Sequence, residues 1–456
     1  MPERLSPSDM SSLVAERGSI HVHVGATTIM DGEPPDFEAL LAHVDARLDL
    51  MPRFRQRVTS SSLQFTNPKW RDDPEFDLRW HVRHSGLPKP GSVAQLRDYV
   101  GRVMSEPLDF RRPLWQLYLI EGVDGDRFAV ISKTHHALVD GVAAVDVGTI
   151  LLDPNPEGTD IPVPEEPPEP DAPSPGLLFV RAASERVRAP LSRARRAAVG
   201  AITMPAETAG RVLRTTEGFT ELAIGEPAPP SSLNVDIGPD RRVAFVRAEL
   251  QAIKDARGDG GATVNDVILA IAAAGLSRFL RGRGEEPPEH LLALVPVSVR
   301  RPDERNELGN RMSTILVRLP MAADDPAKRL ELIRKETSRL KQSEQARAAS
   351  LIINATGWTP PTVNRLISRA MDRPRVFNLV VSNVPGPQMP FYLLGSRMRE
   401  VYPFVPLSPQ GHALSIGVIS YDGGVFFGIT GDRQAVADID DLAAAMSAAL
   451  EEQTAG

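Results

Sequence analysis

The chain contains no cysteine, which excludes a disulfide framework, a thiolate metal site and a cysteine nucleophile together, and is compatible with a reducing cytoplasm. An apolar leader is also missing: the opening MPERLSPSDMSSLVAERGSI alternates charged and polar residues, so export by the secretory route is not expected. Long apolar runs are scarce. Val376–Ser396 and Val401–Tyr421 lack charge but carry three prolines each, which argues against a membrane-spanning helix. The formal net charge of −7 gives no global attraction to phosphate backbones, so a nucleic-acid partner is not expected. There is no internal repeat and no glycine-rich phosphate loop of known spacing.

What is present suffices for more than one core. A chain of 456 residues with 42% hydrophobic and 24% charged residues reads as a globular protein of two domains. The sharpest break in composition is Pro154–Pro175, with nine prolines and a run of acidic residues, which predicts a stiff linker within 154–175. Arg181–Arg214 follows with eight arginines against two glutamates. It reads either as a solvated helical connection or as an amphipathic surface for anionic lipid. The expected division is therefore 1–180, a basic connection at 181–230, and 231–456.

Extended and helical signals mix in both halves. Phe37–Leu48, Gly141–Leu152, Thr263–Leu280 and Asp438–Glu452 have helical spacing, with Thr263 as N-cap and Asp266 three residues on. Arg127–Thr134, Arg242–Leu250, Leu291–Val299 and Arg311–Leu319 read as strands. Ala413–Tyr421 and Val425–Thr430 flank Asp422-Gly423-Gly424, a hairpin signature. The fold class expected is α/β or α+β.

The chemistry concentrates in His135-His136-Ala137-Leu138-Val139-Asp140-Gly141, where an apolar strand gives way to a helix. Adjacent residues leaving a strand point to opposite sides, so one histidine is expected to act and the other to support. An imidazole suits proton transfer near neutrality, a carboxylate four residues on can fix the loop, and Gly141 permits a tight path. His21 and His23 would share a strand face and His81 and His84 are spaced like a helical pair. With no third or fourth ligand evident nearby, structural or solvated roles are expected for both couples and no metal site is predicted.

HHxxxDG is the signature of the coenzyme-A-dependent acyltransferase superfamily, which includes chloramphenicol acetyltransferase-like enzymes and the condensation domains of peptide synthetases. More closely, the chain resembles the bacterial wax ester synthase/acyl-CoA:diacylglycerol acyltransferase family. The resemblance rests on LSPSD at Leu5–Asp9, PRFRQRV at Pro52–Val58, PLDFRRPLWQLYLIEG at Pro107–Gly122, HHALVDG and TVNDVILA at Thr263–Ala270. LGNRMSTILVRLP at Leu308–Pro320, NLVVSNVPGP at Asn378–Pro387 and LSIGVISYDG at Leu414–Gly423 complete it. The usual Pro-Met before His-Val-Gly is missing at His21-Val22-His23-Val24-Gly25.

The resemblance implies two chloramphenicol-acetyltransferase-like domains forming a V, with a tunnel at their interface that reaches the histidine loop from both faces. It makes His136 the general base, with His135, Asp140 and Gly141 supporting it and Asp140 architectural through an arginine. Asn265 and Asp266 match the family's Asn-Asp motif and are expected to position rather than react, since a first-turn carboxylate favours the helix dipole in any case. Ser382 and Asn383 could meet a substrate carbonyl or hydroxyl, and Pro113-Leu114-Trp115 reads as structural.

The implied activity is O-acyl transfer from long-chain acyl-CoA, a co-substrate rather than a bound cofactor, to diacylglycerol or a fatty alcohol. It would be cytoplasmic with peripheral contact at a membrane or lipid inclusion, to which the basic segment and the two charge-free stretches could contribute. Two alternatives stand beside it: a condensation-type enzyme for another hydroxyl or amine, and a non-catalytic acyl-CoA- or lipid-binding protein of the same fold.

Overall fold

The computed structural model describes residues 5, 7–16, 18–59, 68–138, 151–159, 227–298, 312–342, 376–407 and 411–455. In the first half, α1 (Pro7–Ala15) leads into β1 (His23–Asp31) and α2 (Phe37–Leu48). Then follow β2 (Gln56–Thr59), β3 (Lys69–Asp72), the single turn α3 (Leu78–His81), β4 (Val82–Gly86), α4 (Val93–Ser105), β5 (Trp115–Val123) and β6 (Arg127–His135). Asp36 caps α2 by accepting from the Glu38 and Ala39 amides, and Ser92 with Gln95 closes a capping box on α4.

After residue 227 come β7 (Arg241–Glu249), α5 (Leu250–Asp255), α6 (Val264–Gly282), β8 (His290–Ser298), β9 (Met312–Pro320) and α7 (Pro326–Gln342). The chain continues through β10 (Leu379–Pro385), β11 (Tyr392–Leu393), β12 (Ser396–Phe404), β13 (Leu414–Tyr421), β14 (Gly424–Asp432) and α8 (Ile439–Thr454). The β13–β14 turn places Asp422 at φ 43° and Gly423 at φ 81°, as a two-residue hairpin of this hand requires.

Two six-stranded mixed sheets organise these elements, in the orders β11-β12-β1-β6-β5-β4 and β7-β14-β13-β10-β8-β9. In the first, β1 runs antiparallel to both β6 and β12, so a strand from residues 396–404 lies beside one from residues 23–31. In the second, β10 runs parallel to β8 and β13. The sheets touch through Pro403 of β12. A Cβ on Gly428 of β14 would stand 1.9 Å from the Pro403 carbonyl oxygen, and one on Gly417 of β13 would stand 2.8 Å from Val405 Cγ2.

Each sheet carries its own apolar core. Ile29, Leu40, Leu96, Leu119, Phe128 and Ile131 are fully buried around the first, and Val267, Ile271, Leu276, Leu291, Ile416 and Leu442 around the second. Of the two charge-free stretches proposed for lipid contact, most described apolar residues belong to this interior, while Met389 and Leu394 are exposed. The stretches form β10, β11, β12 and β13, and Leu379, Val381, Val401, Tyr402, Ile416 and Val418 are buried. Their apolar character reflects strands packed inside the protein, and the lipid role is withdrawn for them. Gly141–Leu152 lies almost wholly, and Arg181–Arg214 entirely, outside the described residues. No described helix is long and apolar enough to cross a membrane.

Candidate active site

The histidine pair sits where β6 ends. His135, the last residue of the strand, pairs with His23 at the start of β1 and is completely buried. His136 follows in a turn and is half-buried, and its backbone N–H donates to the Val22 carbonyl at 2.9 Å. The strand alternation thus separates the two rings. His135 Nδ1 accepts from the Ala137 N–H at 3.0 Å, which leaves its proton on Nε2. That nitrogen lies 2.8 Å from Glu16 Oε2, poorly aligned for a hydrogen bond. Asp140 and Gly141 lie outside the described residues.

Glu16, between α1 and β1, is a residue that sequence reasoning missed. Its Oε2 also accepts from the Val22 N–H at 3.3 Å, while its Oε1 stands 3.8 Å from His21 Nδ1 and 4.0 Å from His23 Nε2. Burial alone would raise its carboxyl, but the contacts with His135 and His21 and the neighbouring imidazoles outweigh it and hold the group ionised far below the usual carboxylate range. His23, fully buried, is pushed well below the ordinary histidine value, by burial first and then by the charge of Lys133. The Lys133 ammonium is itself buried, pushed down to about 8 by desolvation, and donates to the Val103 and Glu106 carbonyls at 2.6 and 2.5 Å at the end of α4. Only its HxH spacing pointed to this cluster. The partners Glu16 and His135 lie outside that pattern.

The second half contributes a separate group. Asp266 and Thr263 close a capping box on α6: Asp266 Oδ2 accepts from the Thr263 N–H and hydroxyl, both at 2.8 Å. Asp266 Oδ1 accepts from the Thr337 hydroxyl of α7 at 2.7 Å. The carboxylate is buried and occupied on both oxygens, so its place in the fold is to join two helices. Its neighbour Asn265 accepts from Asn383 Nδ2 at 3.2 Å, tying α6 to β10. Ser382 precedes Asn383 in β10, stands opposite Gly417 of β13 and points to the other face of the sheet.

An Asp266→Ala substitution removes the cap and takes away the carboxylate partner of the Thr337 hydroxyl, leaving it the Arg334 carbonyl at 3.3 Å. Loss of a cap costs about 0.5–2 kcal/mol and loss of a hydrogen bond to a charged group about 1.5–3 kcal/mol. Urea unfolding is therefore expected to show a loss of roughly 2–4 kcal/mol, with kcat of the folded protein within tenfold of wild type. A hundredfold fall in kcat at unchanged stability would instead make Asp266 a reacting group.

Other expected features resolve as structure. Trp115 of the Pro-Leu-Trp motif is buried and donates Nε1–H to the Phe54 carbonyl at 2.7 Å. His81 and His84 do not face one another. His81 ends α3, buried between Phe76 and Trp115, donates Nδ1–H to the Trp115 carbonyl at 2.7 Å and is pushed by burial down to about 4. His84 lies in β4, partly exposed, 3.4 Å from Glu121.

A paired-histidine loop thus leaves one of two linked mixed sheets, with the His136 ring half-buried and the His135 ring fully buried. The wax ester synthase/diacylglycerol acyltransferase catalytic domain matches residues 5–268, and the C-terminal domain of the same family matches residues 308–453. The chain belongs to this family, and its class is acyl-CoA-dependent O-acyltransferase. A probable diacylglycerol O-acyltransferase of Mycobacterium tuberculosis is 31% identical over 457 residues, covering 98% of each chain. Another diacylglycerol O-acyltransferase-like protein of that organism is 34% identical over 98% of each chain.

Among solved structures, the wax ester synthase/diacylglycerol acyltransferase of Marinobacter aquaeolei VT8 superposes with a TM-score of 0.70 at 27% identity, over 99% of this chain and 98% of that one. The first condensation domain of the calcium-dependent antibiotic synthetase shares the fold at a TM-score of 0.61 and 16% identity, over 100% of this chain and 97% of that one.

Proposed function

We propose that His136 is the general base that transfers a long-chain acyl group from CoA directly to the hydroxyl of diacylglycerol or a fatty alcohol. The observation that carries the reading is the division of labour in the pair: His135 is locked by Ala137 beside Glu16, while His136 is half-buried on a loop tethered at Val22. As the acceptor oxygen attacks the thioester carbonyl carbon, His136 takes its proton. The tetrahedral intermediate then collapses with cleavage of the C–S bond, and the imidazolium returns the proton to the departing thiolate, giving ester and free CoA. One ring serves as base and then as acid, and because the acceptor oxygen is itself the nucleophile, no acyl-enzyme is required. The related proteins named as diacylglycerol O-acyltransferases favour diacylglycerol as the acceptor. Within this reading, Asp140 and Gly141 keep the supporting roles that the resemblance gives them, Asn265 and Asn383 hold α6 against β10, and Ser382, on the opposite face of β10 from Asn383, does not share a substrate group with it.

The test follows free thiol released from palmitoyl-CoA in the presence of dioleoylglycerol, hexadecanol or neither, and the absence of cysteine keeps the protein itself silent. Acceptor-dependent release with ester product supports the reading, and the better acceptor assigns the product. Release without acceptor would instead indicate a thioesterase, and acyl-CoA binding without release a non-catalytic binder. Liposome binding at low salt, compared between the full chain and a chain lacking 181–214, tests the proposed contact of the basic segment with anionic lipid.

A further inference from the structure

Among the described residues, one group of histidine and acidic side chains converges closely enough to share an ion: Glu16, His21 and His23, whose donor atoms lie within 4.8 Å of one another. His21 and His23 are separated by one residue, and their rings stack at 5.3 Å with an 8° interplanar angle, presenting Nδ1 and Nε2 to the same carboxylate oxygen. His23 is completely buried, yet neither of its ring nitrogens has a hydrogen-bond partner, and His21 Nδ1 lacks one as well. Buried polar atoms without partners cost roughly 1–3 kcal/mol each, and two of these three, His21 Nδ1 and His23 Nε2, face one carboxylate oxygen, an arrangement that calls for an occupant.

We propose that Glu16, His21 and His23 form a binding site for a divalent transition-metal ion of the zinc class, coordinated by Glu16 Oε1, His21 Nδ1 and His23 Nε2, with His135 as an outer partner. Two imidazoles and one carboxylate are a donor set that suits zinc and its neighbours and leaves at least one position open. Donors around such an ion stand about 2.0–2.2 Å from it, so the present separations of 3.8 and 4.0 Å contract modestly on binding.

The rest of the carboxylate is already arranged for this. Oε2 is engaged by the Val22 N–H and faces the His135 Nε2 proton, which leaves Oε1 for the ion. An outer partner of this kind orients a ligand without touching the metal. His135 is not counted as a ligand, because its Nδ1 accepts from Ala137 and its proton therefore occupies Nε2. Nearby Lys133 is turned away, its Nζ spent on the carbonyls of Val103 and Glu106.

The segment is held from outside as well. Arg241 of β7 donates Nη2–H to the Ser19 carbonyl at 2.6 Å, pinning the turn between Glu16 and His21 to the second sheet. Val22, between the two ligand histidines, binds the His136 backbone through its carbonyl. An ion here would steady the loop that carries the acting histidine without entering the acyl transfer.

The test uses the untagged full chain, stripped with a chelator and titrated with Zn²⁺ and with Co²⁺. One ion per chain is expected, with visible d–d bands for Co²⁺ and a rise in thermal midpoint that follows metal concentration. His21→Gln and Glu16→Gln should each weaken binding by more than the roughly 10–100-fold that loss of an outer partner costs, and His135→Gln should fall within that range. His84→Gln, on the exposed histidine of β4, should leave affinity unchanged. Absence of stoichiometric binding, or equal affinity in the His21 and Glu16 variants, overturns the site. X-ray absorption on the wild-type Co²⁺ form needs no variant to fold: imidazole scattering with light-atom donors supports the site, and its absence removes it.

Discussion

Replacing His136 by alanine is expected to lower the acceptor-dependent rate of thiol release by about 10²–10⁴-fold, the usual worth of a positioned general base. The fall should appear in kcat, because in the proposed mechanism the ring acts on a proton in flight and contributes little to holding either substrate. The half-buried side chain lies in a turn, so urea unfolding of His136→Ala should stay close to that of wild type. His135→Ala should behave differently. It removes a fully buried ring that accepts from the Ala137 amide and faces Glu16, leaving a cavity and an ionised carboxylate short of a partner. Stability and rate should then fall together, by a few kcal/mol in the first case. Equal kinetic losses in the two variants with equal stabilities would reverse the assignment of roles.

The second large effect is expected far from any reacting atom. A methyl group on Gly428 would stand 1.9 Å from the Pro403 carbonyl oxygen, a backbone atom that no rotamer change can move aside. Gly428→Ala therefore requires β14 and β12 to separate, and overpacking of this kind costs about 1–3 kcal/mol or more. We expect the upper end, about 3 kcal/mol, because both strands are interior to their sheets. Gly423→Ala gives the contrast. Its Cβ would meet nothing within 4 Å, and only the backbone at φ +81° resists, which costs on the order of 1 kcal/mol. If chemical denaturation ranks these two variants the other way, the sheets are not packed through Pro403 as described.

The sequence is most legible where its signals are local. Helix α2 coincides with the expected Phe37–Leu48, and the capping box at Thr263 and Asp266 opens α6 as read. The β13–β14 hairpin turns at Asp422-Gly423 because those residues tolerate positive φ. Pairing between distant strands is less legible. Nothing in residues 396–404 announces that Val401 lies opposite Thr28, because β-pairing leaves a periodicity and no address.

The same gap explains the charge-free stretches. An uncharged run reads alike whether its destination is a lipid surface or a sheet interior, and the packing around Val381 and Val418 decides for the interior. Around the His135-His136 loop, the histidine heptad is visible as a string. Glu16 is not, because one acidic residue in a polar segment looks like any other until β1 and β6 bring His23 and His135 beside it.

The place of β12 has a consequence for how such a chain is made. During synthesis β1 emerges early, but its second neighbour arrives only after residue 396 has been translated. Until then one flank of β1 presents unpaired amides and carbonyls, the kind of open edge that recruits foreign strands. The ordinary sequence in which an amino-terminal domain closes before the next appears is unavailable to the first sheet. Its completion waits on β12, so the two halves mature together.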